Sequence, residues 1–462
     1  MSVLWTRRSL LPAGAGLLLA ACQRRAEKDP SVLTIARYGE PTSLDPGRTV
    51  SADDGTVLGL LYRRLTGLDP KSGLASPDLA TKWTEAPDGM SWRFSLASGQ
   101  VFSDGAPVTA QAVVYSIERV RKVNPAVARM TAFLDGVKAL DAQTLQVDLN
   151  APFPPLAEAL SLPLFSVVNP AIEAQARDGD AGSQWLSRNG AGGGPYMLSE
   201  WRRGELVSLT ANPRHVGVLP FKGVQFRVIP DPSAQRLQLQ RGDIDLITDV
   251  PPRDVQFFAA FPTVSVVRQP NPNQVFFLTL NTERVAEPVR QAIAAAIDYD
   301  AIVRDVLMGN ASRVAGVIPA SMPGFRSEMA MARRDPARAR ALLAQAPAGW
   351  ADRPLDFMAF NAGPLVQLIQ SNLREVGIET RVTRASPSAV DQRRAGGDFD
   401  CFVDGVAADY SDPSVVINVS FSPDGIGRGG LNFSRFADPS ISAAMASAAA
   451  EREPAARMQA YA

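Results

Sequence analysis

The sequence predicts an α/β protein in which strands and helices alternate along most of its 462 residues. Three observations carry that expectation. Short stretches place apolar residues at every second position, the period of a half-buried strand. Between them lie stretches with apolar residues three and four apart, the period of a helix packed on one face. The boundaries are punctuated as helix ends should be, with Asp or Thr before the first turn, Pro in it and Gly after the last.

Taken in order, the first strand begins at Val32-Leu33-Thr34-Ile35, and a second places Trp92, Phe94 and Leu96 on one face. Thr109 then caps a helix with Val113, Ile117 and Val120 on one stripe. Val224, Phe226 and Val228 alternate as a strand, and Asp231-Pro232 opens a helix through Leu237 and Leu239 that Gly242 ends. Ile244 to Ile247 reads as the next strand, giving a strand-helix-strand unit of the kind that joins parallel strands. Pro288 opens a helix through Ile293 and Ile297; Asp300 starts another through Val303 and Leu307 to Gly309. Asp335-Pro336 starts a third, with Leu342 and Leu343 buried. Leu365, Leu368, Ile369, Leu373 and Val376 form an amphipathic helix stopped by Gly377, before a strand at Ile378-Thr380-Val382.

Composition excludes several classes of function. Lys+Arg and Asp+Glu are both 47, so there is no basic field to gather nucleic acid. The single histidine, His215, removes most zinc sites and leaves one candidate for any His-dependent nucleophile pair. No metal site, catalytic residue or cofactor is expected. His215 reads as a surface or core residue. Two cysteines, Cys22 and Cys401, cannot build a disulfide framework once Cys22 is committed elsewhere, and Cys401 reads as buried and structural. Gly192 to Gly194 lack the following Lys-Ser/Thr pair of a phosphate loop. The tryptophans at 83, 92, 185, 201 and 350 are spread along the chain and read as core.

The N-terminus reads as an address. Arg7 and Arg8 precede an apolar run from Leu10 to Leu19, too short to span a bilayer, and Leu19-Ala20-Ala21-Cys22 closes it. That order resembles the lipobox of bacterial lipoproteins. The resemblance implies a signal peptide over 1–21, lipidation of Cys22, and a polar tether over 22–31. Thr6-Arg7-Arg8-Ser9-Leu10-Leu11 also resembles a twin-arginine export motif, so the export route stays open. The expected location is the periplasm or cell surface, anchored by lipid.

Five ordered segments resemble the solute-binding proteins of dipeptide and oligopeptide ABC transporters, family 5. They are Glu40-Pro41-Thr42-Ser43-Leu44-Asp45-Pro46; Gly99 to Ala110 around Ser103-Asp104-Gly105; Gly192-Gly193-Gly194-Pro195-Tyr196 followed by Asn212-Pro213; Asn273 to Asp298; and Ala408-Asp409-Tyr410-Ser411-Asp412-Pro413. The resemblance implies a two-lobed periplasmic-binding-protein fold of the large class. Its first lobe would comprise residues 32–66 and 185–268, with an extra subdomain inserted over 67–184. The second lobe would span 269–462. Relatives return to complete the first lobe, so a shortened C-terminus is expected here.

The same resemblance implies the function and its residues. A monomeric, lipid-anchored receptor would capture a peptide or peptide-like solute and deliver it to an ABC permease. Asp409 would meet the ligand's amino group, and Gly405, Val406 and Ala407 would pair their main chain with an extended peptide. Tyr410 belongs to the same motif, and Asp54, Gly55 and Thr56, preceded by Asp53, align with a turn lining the cleft. Three positions depart from the family. Val406 stands where peptide-binding relatives often carry Trp, which should reshape the nearby pocket. Ala112 replaces a first-turn Asp. Phe360-Asn361-Ala362-Gly363-Pro364 lacks the arginine that pairs with a dipeptide's carboxylate. A receptor for a non-peptide solute, a receptor without transport and an exported hydrolase remain as alternatives.

Overall fold

A computed structural model describes residues 28–48, 52–123, 131–248, 250–267, 273–360, 363–427 and 430–462. Cys22 and the leader lie outside them. Three sheets organise the chain.

The first sheet has the order β11-β1-β10-β9-β8, from β1 (Val32–Arg37), β8 (Tyr196–Arg202), β9 (Leu206–Ala211), β10 (Gly223–Val228) and β11 (Leu246–Ile247). β1 lies between β10 and β11 and runs parallel to both. The expected strand-helix-strand unit therefore spans a gap that β1 fills. Its helix, Pro232–Gln240, is capped by Asp231, whose carboxylate accepts the Ser233 N–H at 3.0 Å. The second strand is shorter than the sequence suggests, two residues in place of four. Ile35, Val207, Leu209, Val224 and Phe226 bury one sheet face against Val57, Leu58 and Leu61 of the helix Ala52–Leu61. Here the glycine run finds its purpose. A Cβ on Gly192 would sit 2.1 Å from the Leu61 carbonyl oxygen, and one on Gly194 would sit 2.4 Å from the Leu61 carbonyl carbon. Only glycine lets the two backbones approach that closely.

The second sheet, β4-β5-β7-β6, is antiparallel throughout and uses β4 (Ala80–Glu85), β5 (Ser91–Leu96), β6 (Leu134–Ala139) and β7 (Thr144–Leu149). A small hairpin of β2 (Thr66–Leu68) and β3 (Ala75–Pro77) precedes it. The alternation at Trp92, Phe94 and Leu96 is realised in β5, all three being buried. Val113, Ile117 and Val120 of the helix Ala110–Val123 pack into the same core, and Thr109 Oγ1 accepts the Ala112 N–H as expected of a cap.

The third sheet has the order β12-β15-β13-β14: β12 (Gln274–Leu280), β13 (Leu355–Ala359), β14 (Thr380–Arg384) and β15 (Cys401–Ala407). β15, β13 and β14 are parallel, while β12 runs antiparallel to β15. The helices Glu287–Ala296, Pro336–Leu343 and Pro364–Glu375 cover one face through Ala292, Ile293, Leu343 and Leu373. One boundary differs from the sequence expectation. Asp298, not Asp300, caps the segment at 299–306, accepting the Ala301 N–H at 2.9 Å, and most of that segment is a wide π-helix. Apolar spacing does not report which of two nearby aspartates turns back onto the backbone.

Three C-terminal helices, Ser414–Phe421, Pro439–Ala450 and Pro454–Tyr461, gather with Ile318 and Met322 around Val416, Ala448 and Tyr461. They also reach the second sheet. The Arg452 guanidinium donates to Glu85 Oε1, to the Pro87 carbonyl and to the Ala86 carbonyl, all at the β4–β5 turn.

Candidate functional site

β15 carries the site because it outruns its neighbour. Antiparallel pairing with β12 makes alternate residues of β15 face that strand. Ala408 N–H donates to the Asn273 carbonyl at 2.9 Å, so Val406 and Asp404 face β12 as well, and Gly405 and Ala407 face the other way. On that other side β13 pairs with Cys401 and Phe402 and ends at Ala359. Among the described residues, no strand meets the main chain of Gly405 or Ala407 there. Among the described residues the Gly405 N–H is met by the carboxylate of Asp404, at 2.9 Å. The result is a short open strand edge at the end of a central strand.

Two aromatic rings flank it. Phe276 pairs with Gly405 across the ladder and is 68 % exposed; its ring covers the glycine so closely that a Cβ there would come within 2.8 Å of it. Phe360 follows β13, is half-exposed, and stands edge-on to Phe402 with ring centroids 5.7 Å apart. Neither ring was among the residues expected from sequence. Phe276 continues the alternation of Leu278 and Leu280, both packed on the third core, so its spacing reads as core. Only the register, which sets it opposite a glycine at a strand's open end, distinguishes it.

Beyond β15 the chain enters the loop Ala408–Pro413. Asp409 is exposed between buried neighbours, Ala408 and Tyr410. Burial of its surroundings raises its carboxyl above the usual aspartate value, and no cation counters that. Among the described residues the Asp409 side chain has no hydrogen bond and no ion pair. Tyr410 points the opposite way. It is 6 % exposed and joins the core of the second sheet with Leu156, Ala157 and Phe165. Burial and the nearby carboxylates of Asp412, Asp409 and Glu158 push its phenol well up. Ser411 closes against Gly73, where a Cβ would lie 3.1 Å from the serine Cβ. The loop is thus wedged against the second sheet's hairpins while Asp409 stays open.

The other expected residues fall elsewhere in role. Val406 turns into the apolar cluster of Ile318, Met322 and Val416. Asp54 is fully buried, and its carboxylate accepts the Thr42 N–H at 2.7 Å and the Thr42 hydroxyl at 3.1 Å. It ties down the segment before Leu44. Gly55 abuts Pro163, and Thr56 is exposed on the next helical position. Asp53 lies in the same helix. His215 sits in the β9–β10 connection, its imidazole pushed down by burial and by Arg63. Cys401 is fully buried, with its thiol pushed up by burial, as its apolar flanks suggest. The tryptophans at 83, 92, 185, 201 and 350 all pack in or against the three cores.

The family model for bacterial extracellular solute-binding proteins, family 5 (middle), matches residues 75–428. The chain belongs to that family. It is 31 % identical over 407 residues to the probable D,D-dipeptide-binding periplasmic protein of Escherichia coli, covering 85 % of this chain and 78 % of the relative. A probable di/tripeptide-binding protein of Pseudomonas aeruginosa is 26 % identical over 94 % of this chain and 84 % of its own. In fold, the chain matches a periplasmic binding protein from Helicobacter pylori in complex with the peptide STSA, with a TM-score of 0.84 over 93 % of this chain and 88 % of that one, at 23 % identity. The architecture is therefore that of the periplasmic binding proteins, and this chain is a solute-binding protein of the class that serves ABC importers. Among the described residues no helix is long and apolar enough to cross a membrane.

Proposed function

We propose that this protein captures a peptide or peptide-like solute at Asp409 and the open edge of β15, and hands it to an ABC permease. The carrying observation is the conjunction of an unspent carboxylate with main chain at Gly405 and Ala407 that no described strand meets. A ligand ammonium would form a charge-assisted hydrogen bond with Asp409. An extended ligand backbone would add as a strand at Gly405 and Ala407, a mode that reads main chain and accepts varied side chains. Phe276 and Phe360 supply apolar surface beside that strand. Tyr410, seated in the second sheet's core, ties the site to the opposite wall.

In this reading, residues 32–66 and 185–268 form one lobe, 67–184 its inserted subdomain and 269–462 the second lobe. They close over the ligand by a hinge movement. Cys22 becomes lipidated after removal of 1–21 and keeps a monomeric receptor beside its permease. Two or more acyl chains would make that anchoring stable.

Calorimetry with tri-L-alanine, its N-acetyl form and a depsipeptide lacking the backbone N–H groups tests the binding mode. Binding of the free-amine peptide alone, strongly weakened in Asp409→Ala, is the expected result. Equal binding of all three, or unchanged affinity in the variant, overturns it. Mass spectrometry of the membrane fraction, against Cys22→Ser, tests the anchor.

A further inference from the structure

We propose that Arg457, on the last helix of the chain, is a positioning residue for Asp409. Its guanidinium is 2 % exposed and grips Asp412 by two bonds, Nε to Oδ2 at 3.1 Å and Nη2 to Oδ1 at 3.0 Å. The remaining nitrogen, Nη1, donates to the Ala448 and Ala449 carbonyls at 2.8 and 2.7 Å, at the end of the helix Pro439–Ala450. The fork is therefore itself held, and its planar geometry fixes the carboxylate it holds.

Asp412 transmits that constraint in both directions. Its Oδ1 also accepts the Ser414 N–H at 2.9 Å, which starts the helix Ser414–Phe421. Its own N–H donates to the Tyr410 carbonyl at 3.0 Å, which closes the turn behind Asp409. Tyr410 is buried in another core, so the loop is fastened on both flanks of the one residue left open. An unpaired carboxylate in a crowded cleft would swing toward water if its backbone were free. Two held neighbours fix the backbone that carries it. Asp412, Asp409, Glu158 and Arg457 all act on the Tyr410 phenol, and of these four Arg457 alone is positive.

This inference rests on Asp409 as the ligand's counter-charge, but its test does not require a ligand. Carbon-13 NMR of the aspartate carboxyls in the full chain, with Asp409→Asn for assignment, follows Asp409 directly. In Arg457→Met its titration should move down toward the ordinary aspartate range, about 4, with far-ultraviolet circular dichroism unchanged. The loss of a cation would by itself raise that titration, so a move down reports a carboxylate that has swung into water. Affinity for tri-L-alanine should fall at least tenfold, and Arg457→Lys should recover part of both effects. In an Asp409→Ala background the same change should alter affinity less than twofold. A folded Arg457→Met protein with an unmoved Asp409 titration and affinity within twofold overturns the proposal. If Arg457→Met does not fold, Asp412→Asn, which leaves Arg457 on its carbonyl partners, must show the same shift; no shift there overturns the proposal as well. If the unaltered protein binds no free-amine peptide, the role of Asp409 fails while the titration still decides that of Arg457.

Discussion

Asp54 and Asp409 begin as similar candidates, each an aspartate in a short segment expected to line the cleft, and the structure separates them by what each carboxylate has to hold. Asp54 is buried and holds Thr42 by its N–H and its hydroxyl. Asp409 is accessible and holds nothing among the described residues, although its surroundings make the charge costly. Asp412, three residues on, gives the control within one loop, because its charge is met by Arg457. A spent carboxylate builds the fold; in the proposed reading the unspent one in a crowded place is kept for a ligand.

The largest expected consequence is on binding. Asp409→Asn should weaken a free-amine peptide about 30-fold or more, the roughly 2 kcal/mol or greater cost of truncating one side of a desolvated charge pair. The same substitution should raise the unliganded melting temperature. Its folded value lies above its unfolded one, so the ionised group costs stability at neutral pH, a cost that vanishes as pH falls below the unfolded value. Affinity must show the opposite trend, falling as acidification carries Asp409 through its raised value, and flat in Asp409→Asn. Calorimetry from pH 7 downward, beside thermal melts of both proteins, checks the signs. Lower stability in the variant would erase the contrast with Asp54.

Asp54→Ala should show the converse. It leaves the Thr42 N–H and hydroxyl without their acceptor, and since Thr42 itself is exposed and water can take part of that role, the loss should be about 1 kcal/mol of stability. Peptide affinity of the folded protein should change little. Denaturant titration and calorimetry on the same sample decide it. A binding loss comparable to that of Asp409→Asn would return Asp54 to the ligand site.

Much of the fold was legible because its signals are local. Asp231, Thr109 and Asp335 cap the helices their positions suggest, and Trp92, Phe94 and Leu96 share one buried face. The insertion of β1 between β10 and β11 was not legible, since paired residues lie 191 or more positions apart, as Val32 and Gly223 do, and neither strand's pattern names its neighbour. The motif from Ala408 to Pro413 pointed to the proposed site. Its division of labour was hidden, because burial of Tyr410 in a distant core and the grip of Arg457 on Asp412 are both long-range facts. The burial of Asp54 was hidden for a related reason. Whether an acidic turn faces a cleft or its own backbone depends on packing that composition does not record.

The smallest expected effect tests the strand edge itself. Gly405 has no positive φ, so alanine fits its backbone, but the new Cβ would come within 2.8 Å of the Phe276 ring. The ring is 68 % exposed and free to swing, so stability should change by no more than about 0.5 kcal/mol. What moves is the surface beside the open main chain. Peptides that stack an apolar side chain on Phe276 should bind about fivefold more weakly to Gly405→Ala, near 1 kcal/mol. Phe276→Ala should lose a similar amount, and the double variant should lose no more than either single one, because both act through one ring. Additive losses in that cycle would mean that Gly405 and Phe276 serve the ligand separately. Unchanged affinity in all three would place the ligand away from this edge, leaving Asp409 to act without strand addition.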